Sequence, residues 1–469
     1  MTTESHQVNW SEIYKQRRDW IRREIGKGII LWLGHAPQPR NYAANTYPFR
    51  QDSHFLYYTG LSEPDLALLS YPESGNNILF CRPGSIDDVI WSGPKPSPAE
   101  LAAAAGIDVI EDAERLEDHL KKARAQGTPV HYLPPYRSST VLRLSKLLDR
   151  PPDEITGTAS RPLMEAVARQ RSKKTEVEIA EIEDALEITC RMHRACMATA
   201  RPGVKESEIL GLLQKIALSN NRQQAFAPIV TVRGEVLHNN SYDNVLQKGQ
   251  LLLNDSGAES PRYYASDITR TCPVGGRFAA VQAEIYEIVL RMQMCAISMI
   301  KAGIPYRDVH AAACKILAED LRSMGLMKGN PTDAVEAGAH ALFFPHGIGH
   351  MLGLDVHDME DLGDIVGYGN KEPRSSQFGM NYLRLSRPLE AGFVLTVEPG
   401  IYFIPALIDR WQGEGMHKQF INYDKVNSFR GFGGIRTEDN ILVTDTGARV
   451  LGPRIPKTVP EVEEACQQD

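Results

Sequence analysis

The chain has 469 residues, 42% of them hydrophobic and 24% charged, and a formal net charge of −7. That length holds about two or three ordinary domains with buried cores, and the composition excludes disordered, collagen-like and coiled-coil classes. With no apolar run of about 18 residues we expect no membrane span, and a mildly acidic chain without a Lys/Arg stripe is not expected to bind nucleic acid.

The start, Met1-Thr2-Thr3-Glu4-Ser5-His6, carries neither a basic nor an apolar segment and reads as no secretory signal. The stretch through Arg17-Arg18-Asp19-Trp20-Ile21-Arg22-Arg23 has the pattern of an amphipathic helix. Residues 28–33, 66–71 and 77–81 read as strands, the last two joined by the turn Pro72-Glu73-Ser74-Gly75-Asn76. Pro96-Ser97-Pro98 then leads into an Ala-rich helix from Ala99. Mixed strands and helices to about residue 160 predict a first α/β domain without a cluster of catalytic residue types. The seven cysteines are scattered, odd in number and form no C-x-x-C pair. They read as buried thiols of a reducing cytoplasm, not as a disulfide framework or a thiolate zinc site.

A second region opens on a long helix. Thr175 and Glu178 match a capping box, in which hydroxyl and carboxylate satisfy reciprocal backbone donors, and Pro202-Gly203 marks its end. We place the boundary at about 165–173, giving domains 1–168 and 169–469. An internal echo follows: Arg201-Pro202-Gly203-Val204 to Ile209 resembles Lys301-Ala302-Gly303-Ile304 to Val309, one hundred residues later. Either this is shared helix–Gly–helix grammar, or the domain has two pseudo-symmetric halves around a central site.

Chemistry concentrates in this region. Leu251-Leu252-Leu253-Asn254-Asp255 is an apolar run ending on a carboxylate, and Asp267 follows twelve residues later after a segment of turn composition. A hairpin would bring the two acids together, where they repel unless a cation or a shared proton compensates. Four of the thirteen histidines, His340, His346, His350 and His357, fall within eighteen residues. His346 and His350 have zincin spacing, but the Glu of H-E-x-x-H is missing and two glycines intervene, so a zincin helix is rejected. Glu398 ends an apolar strand and Glu438 begins another, positions where a carboxylate is costly unless paired or coordinated. Alternation puts Arg436 on the face of Glu438, where it would orient an acidic ligand or form an ordinary ion pair. Asp, Asp, His, Glu, Glu is a hard-oxygen set with one imidazole. It favours two divalent cations such as Mn²⁺, with Zn²⁺ or Co²⁺ as alternatives, and metal-assisted hydrolysis through a bridging hydroxide.

These motifs resemble the pita-bread metallopeptidases, the family of aminopeptidase P, prolidase, methionine aminopeptidase and creatinase. The matching segments are Asn254-Asp255-Ser256-Gly257, Ser266-Asp267-Ile268-Thr269-Arg270-Thr271, His346 to Asp358, Val397-Glu398-Pro399-Gly400 and Gly434-Ile435-Arg436-Thr437-Glu438-Asp439. Tyr47 to Phe55 and Tyr58-Thr59-Gly60 resemble the amino-terminal domain of aminopeptidase P. The resemblance implies a pseudo-symmetric pita-bread α+β catalytic domain behind a smaller α/β domain. It implies a peptidase that removes the residue preceding a proline in peptide substrates. By the same resemblance Asp255 chelates one metal, Asp267 and Glu438 bridge both, and His350 and Glu398 hold the other. Glu398 is also the proton shuttle, His357 stabilises the tetrahedral intermediate, and His238 lines the substrate pocket. His346, Tyr402 and Arg436 match supporting positions. A homodimer, or a tetramer of dimers, is implied as well.

Two departures stand out. The Asp255–Asp267 spacing is one residue longer than the family pattern, and Asn239 stands where an aromatic is usual. Arg384 falls where prolidases carry an arginine that binds the substrate carboxylate. Aminopeptidase P looks similar there, so the sequence leaves Xaa-Pro aminopeptidase and Xaa-Pro dipeptidase both open. A non-catalytic pita-bread module that binds peptide or protein partners is the reading from another class, disfavoured because no ligand position is lost.

Overall fold

The computed structural model describes residues 8–369 and 373–467. The opening residues 1–7, on which the absence of a leader was read, lie outside the described residues. The chain divides into two compact units, one running to Gln170 with Asp361–Gly363, the other comprising Arg171–Glu360 and Asp364–Asp469.

In the first unit, α1 (Trp10–Ile25) precedes a five-stranded mixed sheet. Its strands are β1 (Ile29–Leu33), β2 (Ala67–Ser70), β3 (Asn77–Cys81), β4 (Val109–Asp112) and β5 (Val130–His131), in the order β4-β3-β2-β1-β5. β2 and β3 are the antiparallel hairpin that the turn composition predicted. Period-two alternation sends Ile29, Leu31, Ala67, Leu69, Ile78 and Phe80 into one core. α1 is less simply amphipathic than its pattern: Arg18 is fully buried and donates to the carbonyls of Tyr58, Ala105 and Gly106. A buried guanidinium whose two terminal nitrogens donate to backbone carbonyls ties this helix down in place of an apolar side chain.

The second unit is built twice. α2 (Glu176–Thr199) carries the expected capping box, with Thr175 Oγ1 donating to Glu178 at 2.8 Å. It turns at Gly203 into α3 (Glu206–Leu218), followed by β6 (Ile229–Thr231), β7 (Leu251–Ser256) and β8 (Ile268–Pro273). The second half repeats the start: α4 (Ala280–Met299) turns at Gly303 into α5 (Tyr306–Ser323). Both glycines sit at positive φ, 93° and 89°, which an L side chain resists. Their amides donate to equivalent carbonyls, Leu246 and Leu389, each at 2.8 Å. The echo is therefore structural, and the two halves are pseudo-symmetric. β9 (Val394–Val397), β10 (Gly400–Tyr402), β11 (Gly434–Arg436), β12 (Asp439–Val443) and β13 (Ala448–Val450) complete the unit. They pair as β8-β7-β6, β9-β12-β13 and β10-β11. Among the described residues no helix is long and apolar enough to cross a membrane.

Candidate active site

All six residues of β7 are buried, so Asp255 is carried inward on an apolar strand. β8 pairs antiparallel to it, with Thr269 opposite Asp255, which sets Asp267 just ahead of the strand. Gly257 permits the hairpin to close, because a Cβ there would overlap the Ser266 carbonyl. The Asn440 side chain brackets the Asp267 backbone, accepting from its amide at 3.1 Å and donating to its carbonyl at 2.5 Å. The first half's acids are thereby fixed to a strand of the second half.

The other three acid and imidazole positions interlock in the same way. Glu398 follows β9, and its amide donates to the Ile348 carbonyl at 2.8 Å. The His350 amide donates to Thr396 Oγ1 at 3.1 Å. Residues 345–350 form a loop, one of the two non-helical forms their glycines left open, and a Cβ at Gly349 would strike the Thr396 carbonyl. Glu438 occupies the step between β11 and β12. Its amide donates to the Thr269 carbonyl at 3.0 Å, and its carboxylate accepts from Thr269 Oγ1 at 2.6 Å.

Side chains of Asp267, His350 and Glu438 each place one ligating atom within 4.8 Å of the others. His350 Nε2 lies 3.4 Å from Asp267 and 3.5 Å from Glu398. Its Nδ1 is 3.0 Å from the Met351 carbonyl. That bond assigns the proton to Nδ1 and leaves the Nε2 lone pair aimed at the carboxylates.

Of the four carboxylates, Arg436 bonds only Asp255. Arg436 Nη2 donates to Asp255 at 2.6 Å, Nη1 to the Tyr402 hydroxyl at 3.0 Å, and Nε to Thr269 Oγ1 at 3.1 Å. His346 Nε2 completes the chain, 2.8 Å from the same hydroxyl. Of the two readings of Arg436, these contacts agree with orienting a carboxylate at a candidate ligand position, Asp255, and not with an ordinary pair to Glu438. Arg436 engages Asp255 directly and reaches Glu438 only through Thr269, because Glu438 sits in the step between strands where alternation lapses. Burial first, then Asp255 and Glu398, push the Asp267 carboxyl well above its usual range. Glu438 is raised by burial and by Asp267, and Glu398 chiefly by burial.

Among the described residues, Asp255 Oδ1, Asp267 Oδ1 and Glu438 Oε1 are buried without a hydrogen-bond partner. Leaving such atoms unmatched costs about 1–3 kcal/mol each, more when charged. Hard divalent cations are the natural complement to orphaned carboxylate oxygens beside one oriented imidazole. The donor set fits metal.

A cavity of about 840 Å³ opens from these residues and is lined also by His238, Phe378, Arg384, Ile404 and Leu407. His238 is exposed at its rim, and Asn239 turns back to donate to Thr231 at 2.7 Å. His357 borders the cavity, with Nδ1 2.7 Å from Glu360, whose other oxygen accepts from Arg384 Nε at 3.1 Å. Glu360 was missed in the sequence; a carboxylate three residues after His357 was the available signal. His340, read with the other three histidines, is apart from them beside His310.

The chain matches the family model for metallopeptidase family M24 over residues 180–445, and that for the aminopeptidase P N-terminal domain over residues 14–131. It is 36% identical over 420 residues to a Sclerotinia sclerotiorum protein named "Probable Xaa-Pro aminopeptidase pepP", covering 89% of this chain and 73% of that one. The structure of Pseudomonas aeruginosa aminopeptidase PepP superposes with a TM-score of 0.80 at 28% identity, covering 97% of this chain and 98% of that one. A zinc-substituted Escherichia coli aminopeptidase P in complex with product gives 0.78 at 27% identity, with the same coverage.

Proposed function

The chain belongs to metallopeptidase family M24, and from that premise we propose that it is an Xaa-Pro aminopeptidase, cleaving an N-terminal residue from a following proline in peptides of three or more residues. The observation that carries this is the convergence of Asp255, Asp267, His350, Glu398 and Glu438, with three unpartnered carboxylate oxygens, at one end of the cavity. The names and structures of the relatives supply the substrate class. In this reading residues to 168 form the aminopeptidase P-type domain and those from 169 the catalytic domain. The enzyme is a cytoplasmic homodimer or tetramer.

Asp255, Asp267, His350, Glu398 and Glu438 would hold two divalent ions, Mn²⁺ first and Zn²⁺ or Co²⁺ as alternatives, with Asp267 and Glu438 shared between them. When bound, the ions polarise the scissile carbonyl and supply a water nucleophile at neutral pH. Glu398, whose carboxyl burial raises above its usual range, would take a proton and return it to the leaving proline nitrogen. His357 is oriented by Glu360, which leaves Nε2 as the nitrogen available to the developing oxyanion. Arg436 and Tyr402 hold Asp255 and His346 in place.

Arg384 borders the cavity and supports the second reading, an Xaa-Pro dipeptidase that clamps a C-terminal carboxylate. Its charge is already met by Glu360, which favours longer peptides over a free dipeptide. A competition between an equimolar Xaa-Pro dipeptide and Xaa-Pro-Yaa tripeptide, followed by mass spectrometry on Mn²⁺-loaded protein, decides between them. We expect faster loss of the tripeptide; faster loss of the dipeptide would replace this reading with the dipeptidase.

A further inference from the structure

His310 and Cys314 stand four residues apart on one face of α5, and His340 meets them from the 3₁₀ turn Ala339–Leu342. All three are buried, at 0%, 0% and 1% exposure. One ligating atom from each lies within 4.8 Å of the others, and His310 Nε2 is 3.3 Å from Cys314 Sγ. Among the described residues, His310 Nδ1 and both ring nitrogens of His340 are buried without a hydrogen-bond partner. Core histidines ordinarily satisfy their nitrogens through protein or water, so an unmatched His340 nitrogen beside the His310–Cys314 pair calls for a ligand. The cluster plays no part in the proposed hydrolysis, and its donor set differs from the carboxylate site: one soft sulfur and two imidazoles, with no carboxylate.

We propose that His310, Cys314 and His340 form a second metal site, for a thiophilic divalent cation of which Zn²⁺ is the first candidate. Zinc holds nitrogen at about 2.0–2.1 Å and sulfur at about 2.3 Å; at a tetrahedral angle those bonds set the two atoms roughly 3.6 Å apart. The observed His310–Cys314 separation needs little adjustment to meet this. Burial holds His310 down at about 3 and His340 at about 4, so both rings are neutral with lone pairs to offer. Burial pushes the Cys314 thiol up, so it carries its proton until metal arrives. On binding, the sulfur–hydrogen bond gives way to a sulfur–metal bond and one proton leaves to solvent, with no change of oxidation state. The sequence alone hid this site, because a single thiolate with two imidazoles has no C-x-x-C signature.

Cobalt is the probe that separates this site from the catalytic one, because the proposed catalytic ligands include no sulfur. Co²⁺ added to the full-length chain is expected to produce a thiolate-to-cobalt charge-transfer band in the near ultraviolet. The band should vanish in Cys314→Ser and persist in Asp267→Asn. Elemental analysis of zinc-loaded protein should give one equivalent fewer for Cys314→Ser. No band, or one of equal intensity in Cys314→Ser, overturns the proposal. If that variant does not fold, X-ray absorption on the zinc-loaded wild-type chain decides. A sulfur neighbour at about 2.3 Å supports the site, and a shell of nitrogen and oxygen alone overturns it.

Discussion

Asp358 and Asp267 are both buried acids of the second unit, with opposite surroundings. Asp358 accepts from Arg171 at 2.7 Å and from Lys174 at 2.9 Å, all three side chains being 1% exposed. Burial alone would raise its carboxyl, but Lys174 and Arg171 outweigh burial and hold it below the usual range. Asp439 has the same arrangement, with Arg270 at 2.7 Å and Lys457 at 2.6 Å. Among the described residues Asp267 makes no ion pair with an Arg or Lys; burial with Asp255 and Glu398 drives it the other way, and Arg436 offsets this only in part. The unit knows how to neutralise a buried acid with its own side chains, and at one place it does not. In the proposed reading, that contrast separates acids kept for folding from acids kept for a cation.

The largest effect should come from Asp267→Asn. It removes a proposed shared ligand, so hydrolysis of an Xaa-Pro-Yaa peptide should fall by more than the roughly 100-fold typical of losing an outer-sphere partner. In chelated protein the same change should raise the thermal midpoint, because it removes a charge that folding opposes. A lowered midpoint would erase the contrast with Asp358.

Asp358→Asn should do the reverse, leaving Arg171 and Lys174 uncompensated and costing about 3–5 kcal/mol in denaturant unfolding. Titration adds a sign to the same comparison. A depressed acid such as Asp358 contributes stability above the unfolded carboxylate pKa of about 3.9, and loses it as pH falls through the lower folded value. The raised acids Asp267 and Glu438 cost stability as pH climbs from about 4 toward their folded values. Urea midpoints of chelated protein should therefore decline over that upper range, and metal should flatten the decline.

Two smaller changes sharpen the account within the site. Arg436→Lys keeps a charge but loses the fork that joins Asp255, Tyr402 and Thr269, and should cost about 10–100-fold in metal affinity or kcat/KM. Glu360→Gln should lower kcat about tenfold or less, since the group is half-exposed. It should also raise the dipeptide-to-tripeptide preference by freeing the charge on Arg384, a readout that a purely structural role would leave unmoved.

The five proposed ligands were legible because each breaks a local rule: Asp255 and Glu398 close apolar strands, and His350 stands in a glycine-rich loop. The repeat around Gly203 and Gly303 was legible because a positive-φ turn restricts residue choice. What balances each charge was not legible. Arg171 and Asp358 are 187 residues apart, and Thr269 and Glu438 are 169 apart. No local pattern announces such pairs. Which carboxylate Arg436 holds was hidden for the same reason, since alternation does not extend past the end of a three-residue strand. His340 was grouped by nearness in sequence with histidines from which folding separates it.

The most direct measurement is release of the free N-terminal residue from an Xaa-Pro-Yaa tripeptide before and after chelation, with Mn²⁺ then restored. The account predicts cleavage at the Xaa–Pro bond, its loss on chelation and its return with the metal. An uncut tripeptide under Mn²⁺, or cleavage that survives complete chelation, would contradict it.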